Sequence, residues 1–334
     1  MIKILELFGG IGAPRKALIN LGINHKCIDY VEWQPNRVKA YNALYDHLHQ
    51  PQDVRGWNLK PDILVHGSPC QDNSRGNIKR KGVAKDSRSQ LMIETLRIIK
   101  EMGTWKPKVV IWENVKGVLD RNVIPIFNYY LQEMKNLGYT NSFDVLDARN
   151  FGIPHARERV FCISLLGNAM FDFSKLQHQP MRSINEFLEY GPNDNIPEQY
   201  LITVPSMLSK IKEFNPKPIG RYKRQLDVIE NYCYTITERQ DRCPNAGIIR
   251  LNQPQYRYLT ERECWRLLGF NDEDFELMLK EFPTKEGKRN ATLYALAGNS
   301  IVVQVLEAIF KVIINEDYGT ELIADSSGQL QLVC

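Results

Sequence analysis

The stretch that decides the fold is "IKILELFGGIGAPRKALINLG", residues Ile2–Gly22. An apolar strand-like run is followed by a glycine turn and by a segment with helical spacing of apolar residues. The same unit recurs along the next 145 or so residues; its later strand-like parts are "HKCIDYVEW", "DILVHGS", "PKVVIWENV" and "RVFCISLL". Buried strands that alternate with amphipathic helices predict an α/β domain with a mostly parallel sheet covered on both faces.

Bulk composition excludes several classes of protein. The chain has 334 residues, 43% hydrophobic and 25% charged, which is typical of a globular protein. We expect no membrane span and no signal peptide. The seven cysteines are scattered without CxxC spacing, so we expect neither a metal site nor a disulfide framework, and the cytoplasm is the predicted setting. A net charge of +4 permits an anionic partner without requiring one.

Chemically capable residues follow several of the predicted strands. In parallel sheets, ligands bind beyond the carboxyl ends of the strands. The turn "LFGGIG" suits a cofactor at a helix N-terminus, although the third glycine of GxGxxG is missing. Glu32 in "YVEW" suits ribose hydroxyls, and Trp33 suits an adenine ring or, equally, simple core packing.

Three further motifs supply reactive groups. Cys70 follows Pro69 on a stiff corner, where it is either a nucleophile aimed into a cleft or a small buried hydrophobic residue. Glu113 in "IWENVKG" is expected to have a raised pKa and to donate a proton, unless it only caps the next turn. Arg157 and Arg159 would face one side of an extended strand and hold a carboxylate, a phosphate or a carbonyl oxygen; a surface strand of alternating charge is the alternative.

A basic segment with interleaved tyrosines occupies residues 205–257. Its cations are Lys210, Lys212, Lys217, Arg221, Lys223, Arg224, Arg239, Arg242, Arg250 and Arg257. Clustered cations and aromatic residues are typical of a nucleic-acid surface, and a merely solvated basic face is the alternative. A second basic stretch, "SRGNIKRKGVAKDSRS", follows Cys70 and is expected to form a mobile lid over a bound nucleic acid; a merely solvated loop is the alternative.

The motifs, taken in order, resemble those of the DNA cytosine-5 methyltransferase family. The strings that carry the resemblance are "LELFGGIG", "VEW", "GSPCQ", "DSRSQLMIETLRII", "PKVVIWENVKGV", "FGIPHARERVF", "YLTERECWRLLGF" and "LAGNSIVVQVLEAI". They span Ile2–Leu165 and Tyr258–Ile309, and the form is similar to bacterial restriction-modification or phage-borne members, because the first strand begins at residue 2. Three positions depart from the family pattern, and none removes a group that the chemistry needs: Ala13 stands for a glycine, Asn73 for an aromatic residue and His155 for a glutamine.

The resemblance implies a mechanism for methylating C5 of a cytosine that has swung out of a DNA duplex. Cys70 would add to C6, and protonated Glu113 would hydrogen-bond the N3 side of the ring. Arg159 would hold O2, Arg157 the backbone or the closing loop, and Asn114 would orient its turn.

The resemblance also implies S-adenosylmethionine as cofactor and a Rossmann-like catalytic domain. The implied cofactor residues are Phe8, Gly10, Gly12, Glu32, Trp33, Asp53, Pro69, Asn299 and Ser300. The expected DNA contacts are Ser74, Arg75, Lys79, Arg80, Lys81, Arg88, Thr235, Arg239 and Arg242. We expect a catalytic domain at 1–167, an inserted target-recognition domain at 168–257, and the remainder of the catalytic domain at 258–334.

The expected partner is double-stranded DNA, the enzyme is expected to be a monomer, and a cognate restriction endonuclease is possible without direct contact. Three other functions fit some of the sequence. An RNA cytosine-5 methyltransferase would share the fold, but the long basic segment favours DNA. A non-catalytic nucleic-acid-binding protein would not need "PCQ" and "ENV", and a nicotinamide oxidoreductase lacks its third glycine.

Overall fold

The computed structural model describes residues 1–55, 60–68, 90–213, 225–252, 255–316, 318, 322–324 and 330–332. The strands are β1 (Ile2–Leu7), β2 (His25–Val31), β3 (Ile63–His66), β4 (Val109–Val115), β5 (Tyr139–Asp147), β6 (Glu158–Leu166), β7 (Ile248–Arg250), β8 (Tyr256–Tyr258), β9 (Leu322–Ala324) and β10 (Leu330–Leu332). The helices are α1 (Ala13–Asn20), α2 (Pro35–Tyr45), α3 (Gln90–Glu101), α4 (Ile124–Asn136), α5 (Pro205–Leu208), α6 (Glu261–Arg266), α7 (Asp272–Glu281), α8 (Ala291–Gly298) and α9 (Val303–Asn315).

The main sheet has the strand order β2-β1-β3-β4-β6-β5. Neighbours among β1 to β4 pair in parallel, whereas β6 runs antiparallel to both β4 and β5. The order reverses between β1 and β3, which is where α/β sheets open a crevice for ligands. Because β6 is antiparallel, its first residues lie beside the carboxyl end of β4, so both strands deliver side chains to the same edge.

Two large apolar clusters cover the faces of this sheet. One buries Ile4, Val65 and Ile111 against α1 and α9; the other buries Leu64, Val110 and Trp112 against α3 and α4. The stretch Ala291–Asn315 is long enough for a membrane span and contains an 18-residue window with a mean hydropathy of 1.6, although the sequence predicts no span. Its side chains supply part of the first cluster, including Leu293, Leu306 and Phe310, which is how a core helix of a globular domain behaves.

The region after β6 has a much smaller core of its own. Ile202, Ile211, Leu226, Ile248, Tyr256 and Tyr258 form a separate apolar cluster around the β7–β8 ribbon. Phe171, Leu176, Ile184 and Phe187, although they lie within 168–257, pack into the first main cluster. Ile229, Cys233, Ile236, Ala246 and Ile249 also belong to that main cluster, so the domain bounds remain a prediction.

Two buried ion pairs connect the helices that follow β8 to other elements of the fold. Lys16 of α1 lies 2.7 Å from Asp274 of α7. Arg257 of β8 and Glu263 of α6 are both fully buried, with two nitrogen–oxygen distances of 2.8 Å. Removing one member of such a pair leaves an uncompensated buried charge, so we expect single substitutions at either pair to destabilise the fold.

Candidate active site

An acid and a guanidinium meet at the carboxyl edge of the main sheet. Glu113 lies near the end of β4, and Arg159 lies at the start of β6, opposite Val115. Glu113 and Val115 share a face because side chains alternate along a strand, so Arg159 is a diagonal neighbour of Glu113. Arg159 Nε is 3.1 Å from Glu113 Oε1, and only about 15% of either side chain is exposed.

Burial controls the protonation of Glu113. Loss of hydration raises the pKa of its carboxyl group, against the opposing charges of Arg159 and Arg157. A Cβ placed on Gly67, just after β3, would be 3.6 Å from Glu113 Oε2, so the acid faces the start of the segment that leads to Cys70. The Glu113 carboxyl is thus positioned to hold a proton at the sheet edge.

Two residues of β4 bind Ser68, the last described residue before Cys70. Trp112 Nε1 donates to Ser68 Oγ at 3.0 Å, and Asn114 Nδ2 donates to the Ser68 carbonyl at 3.5 Å. All three side chains are buried. Asn114 therefore binds the backbone just before the segment that leads to Cys70, and its role in orienting the turn stays a prediction.

Arg157 and His155 lie just before β6 and bind backbone groups in distant parts of the chain. Arg157 is buried and donates to the carbonyl oxygens of Ile236, Gly298 and Ser300 at 3.0, 3.1 and 2.7 Å. His155 accepts from the Ile236 N–H at 3.1 Å, and its Nδ1 lies 3.1 Å from the Leu267 carbonyl oxygen. Burial and the neighbouring Arg157 charge hold the pKa of His155 well below its usual value, so the ring is neutral. Arg157 thus contacts backbone.

The glycine turn after β1 is shaped by close contact with tyrosines. Gly12 has φ 74° and begins α1; a Cβ there would lie 2.5 Å from the Tyr45 ring and 2.6 Å from that of Tyr41. Tyr45 donates to the Gly12 carbonyl at 2.7 Å, and Tyr30 donates to the Gly10 carbonyl at 2.5 Å. Only glycine fits at position 12, since both its backbone angle and its surroundings exclude a side chain.

Phe8 and Gly10 form the open side of the same turn. Both have positive φ, 56° and 57°, and Phe8 N–H bonds the Val31 carbonyl at 2.8 Å. A positive φ is uncommon for a phenylalanine and costs on the order of 1–3 kcal/mol, which fits a site that constrains its backbone. A Cβ on Gly10 would have no atom within 4 Å, so its surface is free to approach a ligand.

The end of β2 presents an acid, an exposed indole and a second acid. Glu32 is buried and accepts from the N–H groups of Gly10 and Trp33 at 3.3 and 3.0 Å. Trp33 is 62% exposed, so the core-packing alternative for this residue is wrong. The Gln52 N–H donates to the Glu32 carbonyl at 2.8 Å, which places the next residue, Asp53, beside the end of β2. Hydrogen bonds from Arg55 lower the pKa of Asp53 to about 2.

The C-terminal turn 299–300 returns to this edge. A small cavity of about 60 Å³ is lined by Phe8, Gly10, Gly67, Glu113, Asn299 and Ser300. Asn299 also lines a cleft of about 790 Å³ that includes Arg159, Thr235, Arg239 and Arg242. Asn299 therefore lines both the small cavity beside the glycine turn and the larger cleft.

The wall of that cleft opposite the sheet comes from residues 235–245. Arg239 and Arg242 are exposed and have no ion pair within the described part of the chain. Thr235 Oγ1 donates to the Ala156 carbonyl at 3.0 Å, and this bond anchors the wall to the segment just before β6.

The basic face within 205–257 is narrower than its composition predicts. Arg257 is fully buried against Glu263 and cannot contact DNA. Lys212 and Arg250 are paired with Asp227 and Glu213. Lys217, Arg221, Lys223 and Arg224 lie outside the described residues.

Several predicted site residues also lie outside the described residues. They are Pro69, Cys70, Ser74, Arg75, Lys79, Arg80, Lys81 and Arg88. The roles of these residues remain predictions from the sequence.

Comparisons with known proteins place this architecture. A family model described as C-5 cytosine-specific DNA methylase matches residues 2–315. The type II methyltransferase M.NgoBI of Neisseria gonorrhoeae is 30% identical, covering 93% of each chain, and M2.ScrFI of Lactococcus lactis subsp. cremoris is 28% identical, covering 93% of this chain and 98% of its own. The crystal structure of S. pombe Dnmt2 methyltransferase has a TM-score of 0.74 at 19% identity, covering 95% of this chain and 99% of its own, and shows the likeness of fold.

The fold and the edge site define the class of S-adenosylmethionine-dependent methyltransferases. Within that class, the chain belongs to the C-5 cytosine-specific DNA methylase family. It is a DNA cytosine-5 methyltransferase, and the resemblance stated from the motifs is confirmed.

Proposed function

We propose that this enzyme methylates a cytosine swung out of a specific duplex sequence, through a transient bond between Cys70 and C6. The observation that carries the proposal is the Glu113–Arg159 pair at the sheet edge, with about 15% of each side chain exposed and with the acid facing the segment that leads to Cys70. A base inside a duplex hides its faces, so chemistry on C5 requires extrusion, which costs roughly a few kcal/mol.

In this mechanism, the Cys70 thiolate adds to C6 while Glu113 donates a proton to N3. The thiolate lone pair forms the S–C6 bond, the C5–C6 π electrons shift to the C5–C4 bond, and the C4=N3 electrons take the proton at N3, which leaves an enamine with nucleophilic density on C5. S-adenosylmethionine, when bound, supplies an electrophilic methyl group. After methylation a base removes the C5 proton, the S–C6 bond breaks and Glu113 recovers its proton. Arg159 would hold O2, and its charge would offset the negative charge that develops there.

The chemistry of the other cysteines supports Cys70 as nucleophile. Burial raises the pKa of Cys27 and of Cys162 to about 12, and it also raises the pKa of Cys233 and Cys264. Thiols of this kind supply little thiolate near neutral pH. Among the described cysteines, Cys243 is exposed and lines the 790 Å³ cleft, so it is the rival to exclude.

The residues at the edge fit an adenosyl cofactor with a positive sulfonium. Glu32 would accept from the ribose hydroxyls, and exposed Trp33 would cover the adenine. The turn Phe8–Gly12 would pass close beneath the ligand, with Asp53 near the adenine amino group and Asn299 and Ser300 closing the far side. Glu6 Oε2, buried and without a partner among the described residues, lines the small cavity and supplies the acceptor that a cationic ligand needs.

The cleft between the sheet edge and residues 235–245 would receive the duplex. Arg239 and Arg242 would contact phosphates or base edges there, and Thr235 would hold this wall in place. Arg157 would act through the backbone that it binds. The basic stretch after Cys70 lies outside the described residues, and its role as a lid remains a prediction from the sequence.

The setting of the enzyme follows from the same proposal. It would act as a monomer in the cytoplasm of a bacterium or of a phage-infected host. Both relatives named above are type II methyltransferases, which is compatible with a partner endonuclease for the same DNA sequence.

Methyl transfer is tested with labelled S-adenosylmethionine and plasmid DNA, followed by bisulfite sequencing. The wild-type chain should label cytosine C5 at one repeated sequence, and Cys70→Ala should not. The matched control is Cys243→Ala, which should retain labelling. Labelling of transfer RNA in preference to duplex DNA, or labelling that survives Cys70→Ala, would contradict the proposal.

A further inference from the structure

Arg37, in the first turn of α2, lies between two carboxylates that belong to different parts of the molecule. Its Nη1 is 3.3 Å from Glu32 Oε2, and its Nη2 is 3.4 Å from Glu238 Oε1. The Glu32 side chain is 1% exposed, that of Arg37 23% and that of Glu238 41%. One guanidinium therefore connects a buried acid with an acid near the surface.

Glu32 connects Arg37 to the glycine turn. The same Oε2 atom accepts from the Gly10 N–H at 3.3 Å, and Oε1 accepts from the N–H groups of Trp33 and Gln34, both at 3.0 Å. A change in the position of the Glu32 carboxylate is therefore felt both by the turn and by Arg37.

Glu238 connects Arg37 to the wall of the DNA cleft. Glu238 precedes Arg239, and its backbone packs tightly on Gly298. A Cβ on Gly298 would lie 2.5 Å from Glu238 N. A groove of about 350 Å³ runs along this contact, lined by Arg37, Glu238, Arg242 and Asn299. The chain of contacts thus runs from Gly10 through Glu32, Arg37 and Glu238 to the cleft.

We propose that Arg37 is a positioning residue that couples cofactor binding to DNA binding. The inference rests on the proposed function, because it takes Glu32 as part of the cofactor site and residues 235–245 as part of the DNA site. A ligand that fixes Glu32 also fixes the guanidinium, and the guanidinium holds Glu238 in the position that presents Arg239 to the cleft.

The coupling must be reciprocal and modest. If the cofactor raises the affinity for DNA by some factor, DNA raises the affinity for the cofactor by the same factor. Glu238 is partly exposed and both distances exceed 3.2 Å, so solvent screens the second contact. We therefore expect a factor of about two to five.

The test measures DNA affinity with and without a non-reacting cofactor analogue. A fluorescent duplex carrying the site found by bisulfite sequencing is titrated with the full chain, alone and with saturating S-adenosylhomocysteine. The ratio of the two dissociation constants is the coupling factor. It is measured for the wild type, Arg37→Gln, Glu238→Gln and the double variant.

The matched control is Lys39→Gln. Lys39 lies on the same helix and pairs with Glu281 at 2.7 Å, away from the Glu32–Glu238 contacts. It should keep the wild-type factor of about two to five, whereas both single variants and the double variant should fall to about one.

A wild-type factor of one overturns the inference, as does a wild-type factor that persists in either single variant. Glu238→Gln decides the matter if Arg37→Gln does not fold, because Glu238 is near the surface. Failure here leaves the proposed function standing if wild-type protein still forms its Cys70 adduct, which the binding measurement does not use.

Discussion

The catalytic edge and the region 202–258 are built on very different amounts of apolar core. The edge projects from a sheet covered on both faces by large clusters, and its main polar groups are fixed by other buried groups. Region 202–258 has one small cluster of its own, and it is joined to the sheet domain by polar contacts of Thr235, His155 and Arg157 and by five side chains in the first main cluster, Ile229, Cys233, Ile236, Ala246 and Ile249. The difference is that the acid and guanidinium of the edge lie on a sheet with core on both faces, whereas the surface that we propose meets DNA lies on a region with little core of its own.

The largest expected effect comes from removing the proton of the edge acid. Glu113→Gln keeps the size of the side chain but cannot transfer a proton, so the initial rate of methyl transfer should fall about 10²–10⁴-fold. Burial raises the pKa of Glu113, so the wild-type rate should decline as pH rises through that pKa and the carboxyl ionises. The variant should lose this decline.

The control for Glu113→Gln is Glu158→Gln, on the same edge but exposed and paired with Lys116. Glu158 lines the cleft proposed for DNA but holds no proton that the reaction uses, so with saturating DNA this variant should transfer methyl groups at close to the wild-type rate. A similar loss in both variants would mean that the edge responds to any change of charge, and the distinction between a fixed acid and its surroundings would fail.

The next effect concerns stability and tests how rigid the frame is. Burial raises the pKa of Glu6 from 4.5 to about 7, so the folded state holds the Glu6 proton more tightly than the unfolded state does. The Glu6 contribution to the free energy of unfolding should therefore be fully present below pH 4.5, fall between pH 4.5 and about 7, and be absent above. The contribution of Glu6 is on the order of 3 kcal/mol.

In urea titrations run at several pH values, Glu6→Gln should lose the fall in the free energy of unfolding between pH 4.5 and about 7. Other groups add their own pH dependence, so the informative quantity is the difference between variant and wild type. A difference that does not change with pH would show that Glu6 is ionised in the folded protein and that its surroundings are less closed than the structure indicates.

A smaller effect is expected at the exposed indole of the edge. Trp33→Ala should raise the KM for S-adenosylmethionine about three- to ten-fold, as expected for the loss of one aromatic stacking contact. Trp105→Ala is the matched control, because Trp105 is similarly exposed, 58% against 62%, but precedes β4 at the opposite end of that strand. Equal effects of the two variants would remove Trp33 from the cofactor site.

The smallest effect is expected in region 202–258, which has only a small apolar cluster of its own. Arg242→Ala should lower DNA affinity a few-fold and reduce the slope of log affinity against log salt by about 0.9, as expected for one lost phosphate contact. Lys175→Ala, which removes an exposed cation paired with Glu316 away from the cleft, should leave the slope unchanged. An unchanged slope together with an altered methylation sequence would make Arg242 a base-reading residue.

Much of the fold is predictable from the sequence, because buried strands and amphipathic helices repeat with clear periodicity. The strand ends that carry Glu32 and Glu113 follow from that repetition. The antiparallel direction of β6 does not, although it is what places Arg159 beside Glu113.

Other features depend on contacts between distant parts of the chain. The segment around Arg257 suggested a DNA surface, but Glu263, six residues on, buries and neutralises that cation. Tyr30 and Tyr45, which support the glycine turn, and Arg37, which joins two acids, carry no local signal beyond the helical spacing of Tyr41 and Tyr45. Such contacts become visible only when the sheet and helices are assembled.

The central claim is that the sulfur of Cys70 bonds to cytosine next to the Glu113–Arg159 pair. The most direct measurement incubates the enzyme with S-adenosylmethionine and a duplex that carries 5-fluorocytosine at the mapped site, then digests the protein and identifies the modified peptide by mass spectrometry. The account predicts one nucleotide adduct, on Cys70, and none in Cys70→Ala. An adduct on Cys243, or no adduct from a preparation that methylates normal DNA, would contradict it.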